Sequence, residues 1–166
     1  LTSDHITETS ITFVHGAAGA ITLTVNGSTP GGTLRSLDTV LATANSKTVT
    51  INGNADFAPG ALSTGPAIDA ATQTGIQLIK NGGAGKLILD NPRNTLAGTT
   101  LKVLDGTVSI AGGGGTANPV SSLGTKIELG GAAAGPSAVL RLGGGIVPTT
   151  FDNRLFVKHN VTIEHV

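Results

Sequence analysis

The carboxylates are the residues of this chain best suited to chemistry, and their spacing limits what they can do. Asp38, Asp56, Asp69, Asp90, Asp105 and Asp152 occur singly, with no Asp-Asp pair. Cleavage of a glycosidic bond needs carboxyl groups that converge on the scissile linkage, one to protonate the leaving oxygen and one to stabilise the developing charge. Asp90 and Asp105, with Arg93 nearby, could meet across one repeat of the chain. Each also stands at the end of a strand-like segment, where acidic turn residues are common. Gly82-Gly83-Ala84-Gly85-Lys86 has the composition of a phosphate loop, but it lacks the earlier glycine and continues with Leu87 where Mg²⁺ requires Ser or Thr. The run Gly112 to Gly115 is followed by Thr116, Ala117 and Asn118 and opens no helix, so it offers no helix N-terminus to a pyrophosphate. Both read as turn glycines.

His5, His15, His159 and His165 lie near the chain ends without a Ser-His-Asp context. His159 and His165 share strand parity, which would suit a metal ion, a pH sensor or simply a solvated edge. Calcium-binding Gly-Gly-x-Gly-x-Asp runs do not occur. Asn26-Gly27-Ser28 and Asn160-Val161-Thr162 have the spacing of N-glycosylation acceptors, which matters only in a eukaryotic secretory setting. The expectation is therefore no catalytic residue, no cofactor and no metal.

Composition narrows the partners. Ten Lys plus Arg balance ten Asp plus Glu without charge runs, and the chain has four Phe with no Trp or Tyr. Nucleic acid is thereby disfavoured, because phosphate neutralisation needs a basic patch and base stacking needs aromatics. The absence of Cys excludes disulfides and thiolate metal sites. No apolar run approaches the ~20 residues of a membrane-spanning helix, and no signal peptide pattern is present. The first residue is Leu1, without Met, so the chain is expected to be a processed product or a piece of something longer.

The elements that must position these residues are short strands. With 39% hydrophobic residues the chain can build one core, filled by Val, Ile, Leu and Ala, which suits narrow repetitive interiors lined by strands. Apolar residues alternate with Thr, Ser, Lys, Arg or Glu in segments beginning at Ile11, Ile21, Lys47, Lys86, Leu101, Thr107, Lys126, Val139 and Asn160. Helical spacing occurs only at Leu34 to Ala44, after Pro30, which predicts one short helix or an irregular excursion. The stretch from Leu155 to Val166 reads as strand to its last residue. Asn26-Gly27, Asn52-Gly53, Asn81-Gly82 and Asp105-Gly106 recur at nearly even intervals along the chain. A hairpin sandwich would turn every 8–12 residues or so, whereas two or three strands per recurrence match one coil of a solenoid. The predicted fold is all-β: a single right-handed parallel β-helix over residues 1–166, of roughly six or seven coils. Leu87, Leu89, Val103, Val108, Ile110, Ile127, Leu129, Leu140 and Leu142 are its expected core residues.

Residues 80–145 carry a more specific pattern. Gly83-Ala84-Gly85-Lys86-Leu87-Ile88-Leu89 is followed by Asn91-Pro92-Arg93-Asn94-Thr95-Leu96-Ala97-Gly98-Thr99-Thr100, by Gly106-Thr107-Val108-Ser109-Ile110 and by Ser122-Leu123-Gly124. This order of elements resembles the passenger-associated transport repeat of bacterial autotransporters, also called the autotransporter-associated β-strand repeat. Leu96 stands where the repeat usually has an aromatic residue, which weakens an aromatic ladder without changing the fold. The clear match is confined to this stretch, and the segments on either side resemble looser flanking coils. It implies a right-handed β-helix displayed outside the cell, with export driven by folding.

The function expected on these grounds is that of a non-catalytic, extracellular or cell-surface structural and adhesive solenoid. Its partners would be surface molecules of a host or neighbouring cell, or other copies of itself through strand edges. The alternatives are a filament subunit that stacks through open solenoid ends, and a polysaccharide lyase or hydrolase on the same fold.

Overall fold

The computed structural model describes residues 11–13, 19–26, 33–35, 39–41, 47–59, 75–90, 99–111, 126–131, 135, 137–143 and 154–166. Among these every regular element is a strand. In chain order they are β1 (Ile11–Phe13), β2 (Gly19–Thr24), β3 (Thr33–Arg35), β4 (Thr39–Leu41), β5 (Lys47–Asn52), β6 (Asp56–Ala58) and β7 (Ile76–Lys80). They continue with β8 (Leu87–Leu89), β9 (Thr99–Val103), β10 (Gly106–Ala111), β11 (Lys126–Leu129), β12 (Ala138–Gly143), β13 (Arg154–Val157) and β14 (Val161–His165). No helix among the described residues is long and apolar enough to cross a membrane.

The strands are sorted into two six-stranded parallel sheets and one small pair. The first sheet runs β2-β5-β7-β9-β11-β13, the second β3-β6-β8-β10-β12-β14, and β1 pairs with β4. From β5 onward the chain visits the two sheets alternately, and each strand pairs with the strand two places on. One strand from each sheet makes a rung, and each rung pairs with the one before through both sheets. The register step is uneven: the chain between Leu87 and its partner Val108 is shorter than that between Gly106 and its partner Ala138. The Asn-Gly spacing read from the sequence falls between those two steps.

Period two places alternate side chains on opposite faces of each sheet, and the register stacks them into columns. Val49, Leu78, Leu101 and Ile127 form one inward column of the first sheet, and Leu87, Val108 and Leu140 form one of the second. All seven are buried and belong to one continuous cluster with Phe57 and Ile110. Eight of the nine core residues expected from the sequence are buried; the ninth, Leu142, is half-buried and packs against the cluster. Its column ends at His165, one strand further on.

Two expectations from local pattern are corrected. The segment from Leu34 contains no helix where it is described: Thr33–Arg35 pairs with Asp56–Ala58, and Thr39–Leu41 pairs with Ile11–Phe13. Ladder pairing outweighs the local helical spacing there, as tertiary context commonly outweighs propensity. The last stretch is likewise not one strand, because Lys158 to Asn160 turn the chain from the first sheet to the second and Asn160 takes φ +48°. Asn accepts that left-handed conformation more readily than most residues.

Candidate functional site

Where they are described, the turns that join the first sheet to the second are hydrogen-bonded to the rungs beside them. The backbone N–H of Ala55 donates to the Val25 carbonyl at 3.1 Å, that of Gly85 to the Gly53 carbonyl at 3.1 Å, and that of Gly130 to the Val103 carbonyl at 2.8 Å. Gly53 (φ +113°) and Gly83 (φ +79°) take conformations that side chains disfavour. A Cβ on Gly85 would lie 1.9 Å from the Ala55 carbonyl oxygen. The Gly82–Lys86 segment is thus glycine-rich because backbone passes over backbone. Lys86 is tied down as well: its N–H donates to Asp56 Oδ1 at 2.8 Å, and its ammonium is 3.5 Å from Asp56 Oδ2. Three N–H groups of the segment, those of Gly82, Gly85 and Lys86, are thus already engaged within the protein. Gly112 to Gly115 lie outside the described residues.

The structure does not bring Asp90 and Asp105 together. Asp90 follows the last residue of β8 and Asp105 precedes the first residue of β10. With Val108 level with Leu87, the two carboxylates sit at opposite ends of adjacent strands, about six residues or ~20 Å apart. Paired glycosidase carboxylates are no more than about 9.5 Å apart. Arg93, Asp38, Asp69 and Asp152 lie outside the described residues. His159 is in the turn before β14 and His165 is within it, so the turn at Asn160 breaks the parity expected of them. No group of three His, Cys, Asp or Glu among the described residues could hold a metal.

Two charged features were not singled out in the sequence. Lys80 is in an inward position, between Ile51 and Val103 in its column, with 1% of its surface exposed. Its ammonium donates to the Gly82 carbonyl. Burial pushes its pKa down, and the attraction of Asp105 and then Asp56 opposes that. A lowered lysine pKa means that the unfolded chain holds the proton more tightly. Stability from this site therefore increases as pH rises from the folded pKa towards the ordinary lysine value. We expect Lys80→Met, which keeps the apolar stem, to lose this gain. In urea unfolding at pH 7 and pH 10, the wild-type protein should improve relative to the variant at the higher pH; an unchanged difference would refute the assignment.

The second feature is on the outer face of the first sheet. Lys102, Glu128 and Phe156 stand in one outward column, and Thr100, Lys126 and Arg154 in the next. The Glu128 carboxylate is 2.5 Å from the Lys126 ammonium, 3.6 Å from that of Lys102 and 3.8 Å from that of Lys158. The hydrogen bond from Lys126 holds its pKa below the usual carboxylate range, with further attraction from Lys102 and Lys158 and opposition from burial. Lys126 Nζ also lies over the Phe156 ring, 4.5 Å from its centre.

The last rung is unlike the others. Leu155, Val157 and Ile163 continue the inward columns of Ile127, Leu129 and Leu140, yet they are 37%, 57% and 49% exposed. No described strand pairs with the far edge of β13 or β14. No family model matches the chain, and no curated protein or solved structure matches it either.

Proposed function

We propose that the chain is a length of right-handed β-solenoid serving as a non-catalytic, surface-displayed scaffold of the autotransporter passenger type. The observation that carries this reading is the alternation of strands between two parallel sheets, with their inward columns apolar in the buried core except at Lys80 and Thr99. Such a molecule gains rigidity from its backbone ladders and leaves its outward columns free to vary. The repeat residues between Gly83 and Ile110 support the passenger type, and the separation of Asp90 from Asp105 supports the non-catalytic role. The test is prolonged incubation with pectin, alginate and other acidic glycans. No new reducing ends or unsaturated products are expected; turnover that Asp90→Ala or Asp105→Ala abolishes would place the chain among the lyases or hydrolases.

A second reading, the filament subunit, is favoured by one observation: the apolar row Leu155, Val157 and Ile163 on an edge with which no described strand pairs. An open edge of this kind accepts another strand. Assembly growing with protein concentration would favour this reading over the isolated scaffold.

A further inference from the structure

The outer face of the first sheet changes character along the stack. Its outward columns begin with Ala20, Thr48 and Gln77 in one row and Thr22, Thr50 and Ile79 in the other, all uncharged. From β9 onward they carry Lys102, Lys126 and Arg154, and Lys158 follows at the end of β13. Among the described side chains of this face, Glu128 is the one carboxylate set against those four cations. A chain with zero net charge overall thus concentrates a surplus of three positive charges on three adjacent strands.

Three of the four cations are also held in place. Lys126 is fixed between the Glu128 carboxylate and the Phe156 ring, and Lys102 and Lys158 approach the same carboxylate from the strands on either side. The side chains of Lys126 and Lys158 are 44% and 47% exposed, and that of Lys102 is 25% exposed. Adjacent strands are about 4.8 Å apart, so charges recur across the strands at short, even steps on a parallel sheet. Phe156 is the aromatic residue of this patch and its ring is occupied by Lys126, which leaves no ladder on which bases could stack.

We propose that this face binds a linear acidic polysaccharide lying across the strands of the first sheet, its carboxylate or sulfate groups meeting Lys102, Lys126, Arg154 and Lys158 in turn. The inference rests on the scaffold reading and names its partner class; binding is measured apart from turnover, so either can fail alone. Preformed positive surfaces of this kind raise association rates and lose strength as salt screens them.

The test is binding of the 166-residue protein to immobilised polygalacturonate and to heparin, as carboxylate and sulfate probes, with dextran, single-stranded DNA and anionic vesicles as comparisons. Saturable binding to at least one acidic glycan at low salt is expected, weakening by about tenfold or more between roughly 0.05 and 0.3 M NaCl, with none to dextran. The double variant Arg154→Gln and Lys158→Gln leaves Glu128 paired with Lys102 and Lys126, and it should weaken binding about tenfold at an unchanged melting temperature. No binding to either glycan, equal binding by the double variant, or stronger binding to DNA or vesicles would overturn the proposal.

Discussion

Gly85→Ala is expected to destabilise the protein by about 3 kcal/mol or more, for the addition of one methyl group. Gly85 does not have a positive φ, so the cost is not conformational. It arises because the new Cβ would lie 1.9 Å from the Ala55 carbonyl oxygen and 2.4 Å from its carbon. Those atoms are main chain, and they cannot move aside without parting the hydrogen bond from Gly85 to Gly53 and the strands that continue from it. Two other glycines calibrate the effect. At Gly82, with φ +81° and its nearest neighbour 3.7 Å away, alanine should cost only the left-handed conformation, about 1 kcal/mol. At Gly131, where nothing lies within 4 Å, it should be neutral to within about 0.5 kcal/mol. Chemical denaturation of the three variants checks the order, and a Gly85→Ala protein as stable as Gly131→Ala would contradict the stacked turns.

The second large effect concerns a neighbouring pair on β10. Val108 is fully buried between Leu87 and Leu140, whereas Ser109, the next residue, is half-exposed between Ile88 and Arg141. Val108→Asp places a carboxylate in an apolar column with no cation to meet it, at a cost of several kcal/mol. Loss of the cooperative transition, or a fall in the midpoint equivalent to about 4 kcal/mol, is expected. Ser109→Asp adds the same charge one position along and faces Arg141, whose Nε and Nη2 already hold Glu164 Oε2 at 2.8 and 2.7 Å. Its effect should stay within about 0.5 kcal/mol. Equal losses from the two variants would show that the alternation of faces is wrong.

How much of this was legible follows from which patterns are local. Strands such as Lys126-Ile127-Glu128-Leu129 declare themselves, because the alternation that makes them is contained in four residues. Short strands are harder: β3, β4 and β6 have three residues each, too few to show a period, and they exist through pairing with stretches far away along the chain. Lys80 illustrates a different obstacle. The run Ile76-Gln77-Leu78-Ile79-Lys80 carries the inward parity to its last position, so spacing alone points Lys80 at the core while its charge points it at water. A carbonyl two residues ahead resolves the conflict, and that geometry is invisible before folding. Asp90 and Asp105 fail as a pair for a similar reason: sequence distance suggested one repeat, but a repeat returns a residue to its own strand end, and these two belong to opposite ends. The cluster around Glu128 left only a weak mark in the sequence, the Lys-x-Glu of β11, since its other members arrive from β9 and from beyond β13.

The open columns at Leu155, Val157 and Ile163 also bear on how the molecule would respond to load. Each rung is bonded to its immediate neighbours, and register partners always belong to successive rungs. Tension applied to the last strand therefore meets one row of bonds in each sheet at a time, because nothing among the described strands ties β13 or β14 to rungs deeper in the stack. Unravelling proceeds as peeling, with each step releasing one rung and leaving the next exposed in the same condition. In reverse, a finished rung is a template, presenting a ready row of donors, acceptors and apolar side chains to whichever stretch of chain arrives next.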